Sequence, residues 1–161
     1  MPFQIRIDDL SSPEVQALIT EHLAGMRGHS PPGSVHALAI EALRAPTITV
    51  LTAWDGERLC GCGALKALDA HSGEIKSMRT RPAFLRRGVA QALLDAIVDL
   101  ARHRGYRTLH LETGTGPAFD AAHALYRRNG FVPAAAFGDY VASEFNVFFQ
   151  RALDASKPPA A

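Results

Sequence analysis

Cysteine is nearly missing from this chain of 161 residues: there are two thiols, Cys60 and Cys62, one residue apart in "RLCGCGAL". Two ligands at that spacing leave a four-coordinate zinc site half-built, and no pair among the seven histidines has the H-E-x-x-H spacing. No metal site is therefore expected, and the thiols read as structural or surface groups whose side chains, in an extended segment, share one face. An excess of charge of one sign is also missing. Lys and Arg number 17 against 16 Asp and Glu, a formal net charge of +1, which excludes the broadly basic surface that non-specific nucleic-acid binding needs. No apolar run approaches the roughly 20 residues of a membrane span. The opening "MPFQIRIDDL" has no basic region followed by an apolar one, so it does not read as a secretory signal, and the expected compartment is the cytoplasm. The glycine patterns G-x-G-x-x-G and G-x-x-x-x-G-K-S/T are absent too, which removes the dinucleotide fingerprint and the P-loop.

What is present suits one compact domain over residues 1–152, with a polar, proline-bearing tail over 153–161 expected to be disordered. Hydrophobic residues make up 47% and charged residues 20%, an ordinary globular balance. "FQIRID" alternates as a first strand, and "SSPEVQALITEHLAGM" carries a Ser cap, a first-turn proline and apolar residues at helical spacing. Ser34 is placed to cap a second short helix through Leu43. "TITVLTAWDGERLCGCGALKAL" reads as a hairpin turning at Asp55-Gly56. "HSGEIKSMRT" is a fourth strand. A helix follows from Gly88 to Arg104 with Val89, Leu93, Ile97 and Leu100 in one stripe, ending at Gly105. "YRTLHLETG", "GPAFDAAHALYRRNG" and "EFNVFFQRAL" add a strand, a helix and a last strand, with Phe131 to Tyr140 as loop. The order is that of a mixed α/β layer with helices on both faces of one sheet.

Chemistry concentrates in "RPAFLRRGVAQALL", residues 81–94. A helix start offers unpartnered backbone N–H groups and the positive end of the macrodipole, and small residues at Gly88 and Ala90 leave that backbone open. Arg86 and Arg87 add charge. The stretch is either a pyrophosphate cradle or a solvated basic loop that starts a helix. Leu85-Arg86-Arg87-Gly88-Val89-Ala90 resembles the Gln/Arg-x-x-Gly-x-Gly/Ala signature of the GNAT acetyltransferases, with Leu85 in place of the first polar residue. "ALYRRNGF" resembles that family's Ala-x-x-Leu-Tyr-x-x-x-Gly-Phe region, with Tyr126, Gly130 and Phe131 in frame and Phe119 where an upstream Asn is usual. "GEIKSMRTRP" resembles its preceding strand. The resemblance spans about residues 3–152 and is strongest from 72 to 131.

The resemblance implies an acyl-CoA N-acyltransferase fold: a central, mostly antiparallel sheet of six to seven strands, splayed between strands 4 and 5. It implies acetyl-CoA as co-substrate, held by Met78, Arg79 and Thr80 along the splayed strand. The same grip includes Arg86, Arg87, Gly88, Val89, Ala90 and Gln91 at the helix start, and Phe119, Ala122 and Tyr126 on the later helix. It implies direct transfer of an acetyl group to a small-molecule or peptide amine, with a backbone N–H near Met78 facing the developing oxyanion. Tyr126, with an ordinary pKa of about 10 against about 8.5 for a thiol, is the expected acid. Glu74 and Glu112 are the expected bases, with no dedicated base as the third possibility. By alternation Glu74, Lys76, Met78 and Thr80 share a face unless a bulge shifts the register. His29 or His36 could line the acceptor pocket, His22 lies in the same region, and His123 could bond near the cofactor. Trp54 reads as packing. The alternatives are a non-catalytic acyl-CoA-binding module and an acyltransferase using another acyl group or a hydroxyl acceptor. A sheet edge near the final strand could pair with a second copy in a homodimer.

Overall fold

Apolar-rich extended segments in the first half of the chain build an antiparallel run of four strands. Residues 3–29 and 40–153 are described in a computed structural model, the backbone alone for 23–29. The run consists of β1 (Gln4–Asp8), β2 (Ile48–Asp55), β3 (Arg58–Ala67) and β4 (Ser72–Thr80). Asp55 pairs with Arg58, so the hairpin loop is Gly56-Glu57, one residue later than the sequence suggests. Gly56 has φ +60 and Glu57 does not take a positive φ, the pattern of a type II′ turn matched to strand twist. β5 (Thr108–Gly114), β6 (Val132–Ala134) and β7 (Asn146–Ala152) complete a seven-stranded sheet in the order β1-β2-β3-β4-β5-β7-β6.

β6 lies in the stretch read from sequence as loop. Its three residues include Pro133, which cannot donate to a ladder and is tolerated because β6 is the sheet's edge. The final strand β7 is paired with β5 along its length and with β6 over Phe148–Gln150, so the sheet edge near it is β6. Leu153, assigned to the tail, is instead buried, and its N–H bonds to the Arg107 carbonyl at 2.7 Å; the rest of the tail lies outside the described residues.

α1 (Pro13–His29) and α2 (Ile40–Leu43) pack on one face, where Val15, Leu18, Ile19 and Leu43 meet Val50, Cys62 and Ala64. Ser34, the expected cap of α2, and His36 lie outside the described residues. α3 (Val89–His103) and α4 (Asp120–Arg128) cover the other face. The α3 stripe is as expected at Val89, Leu93 and Ile97, and Leu94, Val98 and Ala101 widen it. Gly61 on β3 lets α3 sit close: a Cβ there would lie 2.9 Å from Val89 Cγ1 and 2.6 Å from the Arg79 carbonyl.

Two bulges break the alternation. The first lies in β3, where Ala53 pairs with Gly61 but Trp54 with Leu59, leaving Cys60 as the extra residue. Cys60 therefore joins the core under α3 while Cys62 joins the core under α1; the two thiols do not share a face. Both are buried and unpaired. The second bulge, in β4, shapes the site.

Candidate active site

β4 and β5 run parallel but pair only from Ser72–Ile75 to Thr108–Leu111, and past those four pairs they part. The gap holds a cleft of about 120 Å³. Its walls come from both faces of the sheet: Glu74, Lys76, Glu112, His22 and Tyr140 on the α1 side, and Met78, Ala122 and Tyr126 on the α3–α4 side, with Phe119 at the end of β5. The β4 bulge produces this division. Cys62 pairs with Arg79 and Ala64 with Lys76, so β4 spends one extra residue there, and Ser77 sits at φ +57. Glu74 and Lys76 keep to one face, while Met78 turns to the other and places its sulfur over Gly63. The single shared face expected from alternation is thereby split.

Glu74 is 3% exposed and is engaged by two donors. Lys76 Nζ reaches its Oε2 at 2.9 Å and the Tyr140 hydroxyl reaches the same oxygen at 2.5 Å. Lys76 also donates to the Tyr140 oxygen at 2.5 Å. Glu112 is set differently. It accepts from Asn146 Nδ2 at 3.1 Å, and burial pushes its carboxyl up to about 7, against the lowering pull of Asn146 and Lys76 and with Glu74's charge adding to the rise. Asn146, itself buried, also donates to the Val141 carbonyl and accepts from the Ser143 N–H, which ties the 135–145 loop to the end of β5. Neither Tyr140 nor Asn146 belongs to a motif.

On the opposite face Tyr126 is 5% exposed, and burial raises its pKa. Its ring meets Phe131 edge-on with centroids 5.6 Å apart. Phe119 lies over Gly114, whose missing side chain makes room for the ring. The His123 Nε2 donates to the Gly114 carbonyl at 3.0 Å and lies 2.6 Å from Thr113 Oγ1, fixing α4 to the end of β5. Trp54 packs as expected, donating to Thr52 Oγ1 at 2.8 Å with Arg6 over its ring.

The basic loop ends in two residues of positive φ, Arg86 at +62 and Gly88 at +88, the latter capping α3. A Cβ at Gly88 would meet nothing within 4 Å. Glycine is thus required by the backbone angle rather than by packing, and the space before the first turn of α3 is open to an anion. Arg86 and Arg87 are exposed, and Arg87 leans over the Phe84 ring at 5.3 Å. Val89 is buried, leaving its backbone as the part that faces outward. The Gln91 amide is committed to Asn129 and Asp95, linking α3 to α4. Among the described residues no group of three or more potential ligands could hold a metal ion, and no helix is long and apolar enough to cross a membrane.

A split sheet, an anion-ready helix start and a tyrosine facing the split form one arrangement, and the chain matches the acetyltransferase (GNAT) family model over residues 15–131. The chain belongs to the GNAT acetyltransferase family. It is 51% identical over 138 residues to the uncharacterized N-acetyltransferase YedL of Escherichia coli, covering 86% of this chain and 87% of that one. It is 48% identical over 149 residues to the uncharacterized N-acetyltransferase YsnE of Bacillus subtilis, covering 92% and 99%. A GNAT acetyltransferase of Elizabethkingia anophelis, solved with acetyl-CoA bound, shares the fold with a TM-score of 0.70 at 16% identity, over 94% of this chain and 99% of that one.

As a GNAT member the protein is an acetyltransferase, and its sheet has the mixed α/β form expected of it. The structure brings Glu74, Glu112, Met78, Phe119, Ala122 and Tyr126 to one cleft. The residues from Arg86 to Gln91 stand apart from it at the start of α3. Among the described residues His22 lines the cleft; the His29 side chain and His36, expected on the acceptor side, lie outside them. The position of His22 one turn past Leu18 and Ile19 in α1 carried the signal, because that stripe faces the sheet.

Proposed function

We propose that this protein moves an acetyl group from acetyl-CoA to a primary amine by direct attack, with Glu112 as base and Tyr126 as acid. The observation that carries the reading is their placement. A carboxyl of pKa about 7 and a tyrosine that keeps its proton face one cleft from opposite sides of the split sheet. Acetyl-CoA, when bound, supplies the thioester. The residues present fit it: the open helix start at Gly88 suits its pyrophosphate, and the edge of β4 past Ile75, unpaired with β5, offers backbone groups to its pantetheine amides.

Glu112 takes the proton of an incoming ammonium, directly or through water, so that a neutral amine attacks; a base of pKa near 7 is matched to that task. Glu74 is the weaker candidate because Lys76 and Tyr140 occupy the oxygen that faces them. The backbone near Met78 stabilises charge developing on the carbonyl oxygen. Tyr126 donates its proton to the departing sulfur. A covalent relay is disfavoured by the state of the thiols: burial pushes Cys62 up to about 12 and raises Cys60 as well, so neither is a ready nucleophile. Unpaired thiols also suit the reducing cytoplasm, the compartment of this reading.

The test is thiol release from acetyl-CoA against a panel of amines, with product identity read by mass. Turnover should be present in the wild type and lower by about a hundredfold in Tyr126→Phe, with acetyl-CoA still raising the melting temperature of both. Wild-type turnover in the variant would remove Tyr126 as the acid.

A further inference from the structure

The mechanism leaves two basic side chains without work: His22 in the cleft wall, and Arg79 behind it, near enough for its charge to act on the His22 imidazole. His22 lines the cleft from the face that carries Glu74 and Glu112, and its Nδ1 is buried with no hydrogen-bond partner among the described residues. Arg79 follows the β4 bulge and pairs in register with Cys62, which belongs to the core under α1. Its Nε is likewise buried without a partner, and none of the ion pairs among the described residues includes it. Buried donors left unmade are costly and uncommon. Of the three such atoms among the described residues, Arg102 Nε stands on α3, while His22 Nδ1 and Arg79 Nε come from the neighbouring α1 and β4, one in the cleft wall and one behind it, and this pair points to a group from outside that completes both.

The charges around the cleft narrow what that group is. Glu74 is neutralised by Lys76 at 2.9 Å. Glu112, with its pKa near neutral, carries only part of a negative charge at pH 7. Arg79 is a full positive charge. Such a cleft does not attract a polyamine, which would need several unpaired carboxylates. It fits an acceptor that brings one negative charge of its own next to its amine.

Resting on the acetyltransferase reading of the cleft, we infer that the acceptor is an amino acid or a close analogue, whose carboxylate is received by Arg79 and His22 while its amine faces Glu112. Arg79 offers the planar, charged donor set that carboxylates prefer. A carboxylate at this place also offsets the electrostatic strain already visible there. Burial first, and then the charge of Arg79, hold the His22 imidazole down to about 4, and an anion between them offsets the second of these, the repulsion from Arg79. A peptide N-terminus lacks a carboxylate beside its amine and would leave the pair unsatisfied.

Matched acceptors test this on the whole protein. Each of the common amino acids is compared with its carboxamide and its decarboxylated amine by thiol release, with acetyl-CoA binding followed separately by thermal shift. The expected result is turnover of at least one amino acid with a KM about tenfold or more below that of its amide and amine. In Arg79→Met that ratio should collapse toward one through KM rather than kcat. Amides or amines used as well as the amino acids would overturn the assignment, as would an Arg79→Met enzyme that keeps the full ratio. Stabilisation by acetyl-CoA with no turnover of any amino acid overturns it too. Absence of any acetyl-CoA shift would instead sink the cofactor reading beneath it. The wild-type comparison needs no variant, so a poorly folding Arg79→Met leaves the outcome decisive.

Discussion

Burial decides what Glu112 can do. Its carboxyl moves from 4.5 to about 7 chiefly by desolvation, so the rate should rise with pH through the region of 7 as the base form appears. Glu112→Gln should lower kcat/KM by about a hundredfold or more and lose that rising limb. Stability supplies an independent check with a definite sign. A group whose folded pKa is raised contributes fully below its unfolded value and loses that contribution as pH rises through the folded one. The wild type therefore carries a growing penalty between pH 4.5 and 7 that glutamine does not share. The melting temperature of Glu112→Gln relative to wild type should be higher at pH 8 than at pH 4.5; a difference independent of pH would show that Glu112 is not held in this state. Glu112 was legible as a candidate because it stands near the end of a patterned strand, and Tyr126 because "ALYRRNGF" resembles a family motif; both line the cleft. Tyr140 and Asn146 were not legible. Tyr140 meets Glu74 across 66 positions from a loop without periodicity, and Asn146 reads as one polar residue of the last strand until its amide is seen on Glu112.

At the scale of elements, the sequence predicts wherever period and punctuation agree, as in α1, α3, α4 and the β2–β3 hairpin. It fails where one residue is inserted. The bulges at Cys60 and Ser77 flip the side chains beyond them, and the extra residue in each is not a glycine. β6 escaped because three residues around a proline carry no strand signal; only its pairing with β7 defines it. The start of α3 is the reverse case, since Gly88 announces the cap and, in the proposed reading, the seat of the pyrophosphate. Replacing it tests the two roles together. In Gly88→Ala the new methyl meets no neighbour, so the loss should come from φ +88 alone, about 1 kcal/mol and a fall of about 2–4 °C in Tm. The gain in Tm from acetyl-CoA should shrink as well, because relief of the strained angle re-aims the N–H groups of the first turn. A variant with wild-type stability and an undiminished acetyl-CoA shift would show that this turn neither needs the left-handed angle nor holds the pyrophosphate.

At the scale of the molecule, the sheet is two unequal halves joined by a short seam. β1 to β4 form one and β5 to β7 the other, with four residue pairs between β4 and β5 against seven between β5 and β7. Local openings concentrate where backbone pairing is sparse, so the strand ends beyond the seam should exchange their amide hydrogens readily in the free protein. A ligand arm lying in the gap as an added strand would act on both halves at once. By mass action, acetyl-CoA at a hundredfold over its Kd adds about 2.7 kcal/mol to global stability, which slows exchange everywhere that depends on global unfolding. The seam should respond beyond that common shift. Hydrogen exchange should slow most in Ser77–Thr80 and Thr113–Gly114, and the β2–β3 hairpin should show only the shared change. If all strands gain protection equally, the cofactor does not bridge the gap, and the split between β4 and β5 is not the place where the acetyl group is presented.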